Sequence, residues 1–336
     1  MNGHPLRLTG NPAVWAGLYA ATGVLYLATP ILGFGITPST VALLFTAVPA
    51  LILLGALYAL DSTRREPTAV RTWALLWGGL IAVTIAGSVN SVVSYIGGEA
   101  AAALISAPVI EELAKWAGLL FLVRWGRLRT PMEGVLLGAY IGAGFAISED
   151  LFYFGDALLS DLNGESTDAL TGTFFARTLT PFGHSFFTMI AGAGLGLYMR
   201  RKGRTWPIST LVAAMLLHAL WNLGAFTENA VLLLGAFLPV QLLSIGAVLL
   251  LVIRERRRIR RNLERISPLE RALIEYRHRR PANRTEKLAH QILRREALRR
   301  ALEPEPAHWT ETPPHPAGAA HLYEPRRTGP EAPVTP

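Results

Sequence analysis

AAAALISAPVIEELAKWAGLLFLV, residues 100–123, is apolar for long enough to cross a membrane, yet it carries two carboxylates and an amine in its middle. A helix needs about 20 residues to cross a ~30 Å hydrocarbon layer. Helix is the open-chain choice there, because lipid offers no partner to a free backbone amide. An ionised side chain near the centre of such a helix costs about 3 kcal/mol or more, so Glu111, Glu112 and Lys115 each need a reason to be present. Glu111 and Lys115 are four residues apart and can pair on one face. Glu112 lies ~100° round the helix from Glu111, so the two cannot point the same way equally well. Pro108 loosens the helix just before the pair.

Outward from this stretch, similar apolar runs lie at 13–34, 41–60, 72–96, 132–156, 174–198, 206–226 and 230–253, making eight spans with it. Of the 336 residues 51% are hydrophobic and only 17% charged, too few charges to cover a soluble protein of this size. The first run is too long for the apolar part of a signal peptide and reads as a span. With no cysteine in the chain, disulfides, thiolate metal sites and cysteine nucleophiles are excluded.

Basic residues fall in alternate loops: Arg64, Arg65 and Arg71; Arg124, Arg127 and Arg129; Arg200, Arg201, Lys202 and Arg204. Loops 35–40, 97–99, 157–173 and 227–229 contain none, and the third holds Asp161, Glu165 and Asp168. The positive-inside rule then places both termini in the cytoplasm of a multi-pass protein of the cell's inner (plasma) membrane. The expected fold is all-α, a polytopic membrane helix bundle, N-in/C-in. Residues 1–12 are its cytoplasmic N-terminus, and 13–253 its transmembrane domain. Residues 254–302 form a basic helical segment that supplies most of the net charge of +8. Residues 303–336, rich in Pro, Ala, Glu and Thr, are expected to be disordered. Arginine beside a membrane suits anionic lipid headgroups or a solvated helix pair; no recognition module accompanies it, so nucleic acid is not expected.

The ionisable groups within spans gather in the fourth to seventh: Glu111, Glu112, Lys115, Glu149, Asp150, Arg177, His184 and His218, with Asn90 and Asn222 as polar companions. At 1.5 Å per residue, Glu111, His184 and His218 lie ~16, ~15 and ~18 Å from the start of their spans, all near mid-membrane. Glu149 lies ~10 Å below the outer surface, so the cavity is expected to open outward. Arg177 is expected to snorkel to the interface or pair with the acidic outer loop, and Asn90 to make a helix–helix hydrogen bond. Gly138, Gly142 and Gly144, with Gly192, Gly194 and Gly196, give the fifth and sixth spans small faces for close contact.

APVIEELAKW (107–116), GFAISED (144–150) and HALWN (218–222) resemble the three motifs of the PrsW family of bacterial intramembrane proteases. That family is a branch of the superfamily holding the type II CAAX prenyl endopeptidases and the Abi/CPBP membrane proteins. The resemblance covers roughly 70–250. It implies a catalytic set of Glu111, Glu112, Lys115, Glu149, His184, His218 and Asn222. Phe145 matches the aromatic four residues before the second-motif glutamate, and Asp150 departs from the Asn expected after it. These motifs suggest no serine or cysteine nucleophile, so a carboxylate does the base work, alone or beside a metal. By resemblance Glu111 is the base, and His218 and Asn222 hold the oxyanion. Glu149, His184 and His218 are ligands of a type zinc accepts; a zinc enzyme and a metal-free glutamate protease both stay open.

A lone buried Glu–Lys pair can simply tie helices together, and a lone buried His is usually a packing residue; eight such positions on four helices favour a site. A proton- or ion-coupled transporter would show a continuous polar path and inverted repeats, and the sequence shows neither. A non-catalytic scaffold is disfavoured because every motif residue is kept, and a CAAX-type prenyl endopeptidase is the runner-up among enzymes. The implied substrate is a membrane-anchored protein, of the anti-sigma regulator type in regulated intramembrane proteolysis.

Overall fold

The computed structural model describes residues 12–61, 66–200, 203–227, 231, 238–262, 293 and 297. Residues 1–11, most of the basic segment past Asn262 and the tail expected to be disordered lie outside the described residues. The chain divides into two units, Met1–Ile253 and Arg254–Pro336. The described residues are helical throughout, with no strand.

The helices are α1 (Pro12–Phe34), α2 (Ile36–Leu60), α3 (Thr68–Gly97), α4 (99–124), α5 (Pro131–Leu162), α6 (Ala169–Leu179), α7 (Gly183–Met199), α8 (Trp206–Phe226) and α9 (Leu238–Asn262). Five are long and apolar enough to cross a membrane: α1 from Ala16, α2, α3, α5 and α8. Single glycines with left-handed backbone separate α1 from α2 (Gly35, φ 88°) and α3 from α4 (Gly98, φ 85°). The second is the very tight turn expected at 97–99. π-helical turns interrupt α3 at Trp77–Ala82 and α4 at Ala102–Ser106.

α5 is the central helix. Of its most apolar window 83% is buried inside the bundle, against 33% or less for the other four. Thr130 starts it with a reciprocal cap: Glu133 N donates to Thr130 Oγ1, and Thr130 N to the Glu133 carboxylate, both at 3.2 Å. Pro131 occupies the first turn, where a missing amide costs nothing.

Two boundaries differ from those expected. α5 runs six residues past 156, because no breaker precedes Gly164 (φ 75°), so the loop that follows shrinks to 163–168. Asp161 is therefore no free loop acid: its carboxylate accepts Ala169 N at 2.8 Å and Leu170 N at 3.0 Å, capping α6. The expected span 174–198 is not one helix either. α6 ends at Leu179, Pro181 brings no amide to continue it, and α7 restarts at Gly183. Eleven-residue α6 is ~16 Å long, too short to cross alone.

Close contact of α5 with α7 runs through glycine. A Cβ at Gly142 would overlap the His184 carbonyl, one at Gly138 the Thr188 carbonyl, and one at Gly134 the Gly192 carbonyl. Gly144 instead meets α3 at the Leu75 carbonyl, Gly194 meets α8 at Thr210, and Gly196 meets Pro131. Trp77 Nε1 donates to the Ala114 carbonyl at 3.0 Å, fastening α3 to α4. Large apolar side chains such as Leu32, Ile36 and Tyr95 stand exposed, whereas Glu111, Glu112, Lys115, His184 and His218 are buried. That polarity suits a lipid surround.

Candidate functional site

Four helices bring six of the expected residues into one cluster: Glu111, Glu112 and Lys115 from α4, Glu149 from α5, His184 from α7 and His218 from α8. Lys115, completely buried, is its hub. Its Nζ lies 2.7 Å from Glu112 Oε1, 3.0 Å from His184 Nδ1 and 3.5 Å from Glu111 Oε2. It also stands 4.0 Å from the centroid of the Phe145 ring, which forms the floor of the cluster. The i,i+3 partner Glu112 is thus held more tightly than the i,i+4 partner Glu111. Both glutamates reach the same amine despite their ~100° separation on the helix.

Each histidine has a carboxylate behind it. His184 Nε2 lies 2.7 Å from Glu149 Oε2, and His218 Nδ1 lies 3.1 Å from Glu112 Oε1. The partners assign the tautomers. Lys115 can only donate to His184 Nδ1, so His184 Nε2–H donates to Glu149. His218 Nδ1–H donates to Glu112, leaving its Nε2 with a lone pair. The near nitrogens, His184 Nδ1 and His218 Nε2, each lie 3.8 Å from Glu111 Oε2. That oxygen is buried and has no hydrogen-bond partner. Phe187 stacks on the His218 ring at 4.9 Å and 15°, fixing its plane.

The donor set fits a metal ion. Glu111, His184 and His218 each offer one ligand atom, and these atoms lie within 4.8 Å of one another; an ion there would take the place of the Lys115 hydrogen bond to His184 Nδ1. Carboxylate and imidazole are zinc-type donors, and a carboxylate on the far nitrogen of each ring is the usual support for a metal-bound histidine. The orphaned Glu111 Oε2 is the oxygen such an ion would satisfy. This set differs from Glu149, His184 and His218: Glu149 lies behind His184, on the far side of its ring, and Glu111 takes its place.

Asn222 is near the cluster but differently engaged from an oxyanion donor. Its Nδ2 donates to the Ala103 carbonyl at 2.8 Å, tying α8 to the π-helical turn of α4. Asn90 does make the expected helix–helix bond, and it reaches the cluster: Ser106 Oγ donates to its Oδ1 at 2.7 Å, and its Nδ2 lies 3.4 Å from Glu111 Oε1. Arg177 neither snorkels nor pairs with the outer loop. It contacts Glu149 Oε2 at 3.3 Å and Asp150 Oδ1 at 3.4 Å. The roles of Ser106 and Arg177 are not legible in the sequence, because their partners sit on other helices. A cleft lined by Asp150, Arg177, Pro181, Gly183, His184 and Trp221, among others, reaches the cluster where α6 and α7 part.

Residues 66–253 match the family described as PrsW family intramembrane metalloprotease. The chain is 27% identical over 180 residues to Protease PrsW of Geobacillus kaustophilus (strain HTA426), across 52% of this chain and 75% of that protein. No solved structure matches. The family match covers more than half of the chain, and the chain belongs to the PrsW family of intramembrane metalloproteases.

Proposed function

We propose that this intramembrane protease cuts a membrane-anchored protein with water activated at Glu111. The observation that carries the assignment is Glu111 Oε2, buried, without a hydrogen-bond partner and faced by a ring nitrogen of each histidine at 3.8 Å, with Lys115 Nζ at 3.5 Å. Glu112 is the poorer acceptor, because Lys115 and His218 both donate to its Oε1 and lower its basicity, although its Oε2, like that of Glu111, has no hydrogen-bond partner. Glu111 takes a proton from the attacking water and returns it to the leaving amine. Lys115 is the nearest cation for the charge that grows on the scissile carbonyl oxygen. His218 holds Glu112 in place beside Lys115 through its Nδ1–H, and Asn222 contributes by holding α4 in place. Glu111, His184 and His218 would hold a metal as an alternative to this metal-free chemistry, since an ion on Glu111 Oε2 takes the lone pair that the base uses; zinc best fits the donors and would supply Lewis acidity that makes water easier to ionise.

A peptide bond inside a helix is hydrogen-bonded and shielded, so the substrate must arrive as an extended strand. The small cleft beside Pro181 and Gly183 has room for about a water, so a strand enters there only as α6 and α7 move apart. We place the chain in the plasma membrane with eight crossings and both termini in the cytoplasm, α6 and α7 together making the sixth. The basic residues from Arg254 onward then meet anionic headgroups. The reading extends to a single-span regulator of the anti-sigma type as substrate, cut near the outer end of its span, and to common descent with the CAAX and Abi/CPBP proteins.

The test incubates purified protein with single-span membrane substrates and compares wild type, Glu111→Gln and chelator-treated enzyme. Wild type releases fragments and Glu111→Gln does not. Activity lost to chelator and restored by zinc assigns the ion to the reaction. Cleavage by Glu111→Gln at the wild-type rate overturns the base assignment.

A further inference from the structure

Arg177 has no place in the three motifs, yet its guanidinium lies against the back of the cluster. Nη2 donates to Glu149 Oε2 at 3.3 Å, and Nε lies 3.4 Å from Asp150 Oδ1. The guanidinium also stands over the Tyr153 ring, Cζ 3.9 Å from its centroid. Residues 149, 150 and 153 of α5 thus hold one side chain of α6. Glu149 Oε2 is moreover the oxygen that accepts from His184 Nε2 at 2.7 Å.

We infer that Arg177 is a positioning residue of the active site, fixing Glu149 so that Glu149 accepts from His184 Nε2–H and, opposite Lys115 at Nδ1, sets the direction of the His184 ring. This rests on the assignment of the site given above. Three observations carry it. Glu149 and Asp150 are adjacent carboxylates whose side chains are only 19% and 7% exposed. Without the guanidinium their repulsion turns Glu149 off the ring and toward the cleft. His184 is also the second residue of α7, and Arg177 clamps α6 to α5 three residues before the break from which α7 restarts. The same side chain therefore sets both the hydrogen bond behind His184 and the backbone ahead of it. Finally, Asp150 is itself buried next to Glu149, and Arg177 Nε lies 3.4 Å from its Oδ1. Arginine and aspartate are then a matched pair, and neutralising both should be milder than neutralising the arginine alone.

The test uses the full chain in lipid nanodiscs. It compares Arg177→Met, Arg177→Lys and the double variant Arg177→Met with Asp150→Asn. Steady-state cleavage of a single-span substrate gives kcat and KM. Histidine-selective 15N NMR reads the His184 Nε2–H, its resonance identified by loss in His184→Gln. Arg177→Met should lose about 10- to 100-fold in kcat with KM unchanged, as for other residues that act from behind a site histidine. Its His184 Nε2–H signal should shift and broaden as the hydrogen bond to Glu149 is lost, and the double variant should recover much of both. If the methionine variant does not accumulate in the membrane, the lysine variant carries the same two readouts, with a smaller loss. Wild-type kcat in Arg177→Met overturns the inference. So does a fall in kcat with an unchanged His184 signal, the mark of a purely structural role, and so does a double variant no better than the single. Glu111→Gln run in parallel separates the two readings: an active Glu111→Gln removes the site itself, whereas an inactive one beside a fully active Arg177→Met removes only the role of Arg177.

Discussion

Glu112 Oε1 is shared between Lys115 Nζ at 2.7 Å and His218 Nδ1 at 3.1 Å, whereas Glu111 accepts one longer hydrogen bond, from Asn90 Nδ2 to Oε1 at 3.4 Å; the Oε2 of each has none. One residue of separation on α4 thus divides a carboxylate tied by two donors from a more loosely held one, the one we propose as the base. Glu111→Gln keeps the shape and removes the base, and should cut turnover by about 10²–10⁴-fold at unchanged membrane levels. Quantitative blotting alongside the cleavage assay checks both parts. Asn90 is a milder case. A helix–helix bond alone would make Asn90→Ala nearly silent. Its amide, oriented by Ser106, instead steadies Glu111 Oε1, so Asn90→Ala should slow cleavage by about fivefold, the worth of one neutral hydrogen bond near 1 kcal/mol. Ser106→Ala should do the same through Asn90, and a double variant no worse than either single would show that they act as one relay.

At the scale of elements, the contact of α5 with α7 decides whether His184 meets the residues of α4. A Cβ at Gly142 would overlap the His184 carbonyl, so Gly142→Ala must push α7 outward at the very turn that carries the histidine. Overpacking of this kind costs about 1–3 kcal/mol, and here the displaced backbone holds a site residue. Gly142→Ala should therefore lower the melting temperature and the cleavage rate together. Gly87→Ala on α3 is the control, since a Cβ there meets nothing within 4 Å. In a helix interior alanine is favoured over glycine by about 1 kcal/mol, so Gly87→Ala should melt at or above wild type. Differential scanning fluorimetry of both in one detergent makes the comparison. Equal melting of Gly142→Ala and wild type would mean that α7 yields without cost.

For the whole molecule the governing quantity is which end of the bundle faces out. Reporters fused after Arg129 and Arg204 should report cytoplasm, and one inserted at Asn163, at the end of α5, should report the exterior. An Asn163 reporter scored as cytoplasmic would invert the bundle and, with it, the side from which a substrate reaches the cleft near Pro181. Mapping of fragment ends by mass spectrometry is the independent check, with cuts expected near the outer end of the substrate's own span.

Membrane residence was legible in the chain itself, because runs such as 41–60 and 206–226 have the length and polarity that hydrocarbon demands of any helix. So were the residues of the site, since Glu111, Lys115, His184 and His218 cost too much in such helices to lie there idle. Helical rise alone put three of them at a common depth. What those rules leave out is azimuth, and azimuth is settled only by packing. Which of the paired glutamates is the more loosely held depends on where α8 presents His218. Whether Gly144 meets α7 or α3, and whether Asn222 faces the site or the Ala103 carbonyl, depends likewise on neighbours far away in sequence. The break at Pro181 and the reach of Arg177 back to Glu149 follow from the same cause. A period of 3.6 residues says which side chains share a face, and only the assembled bundle says what that face touches.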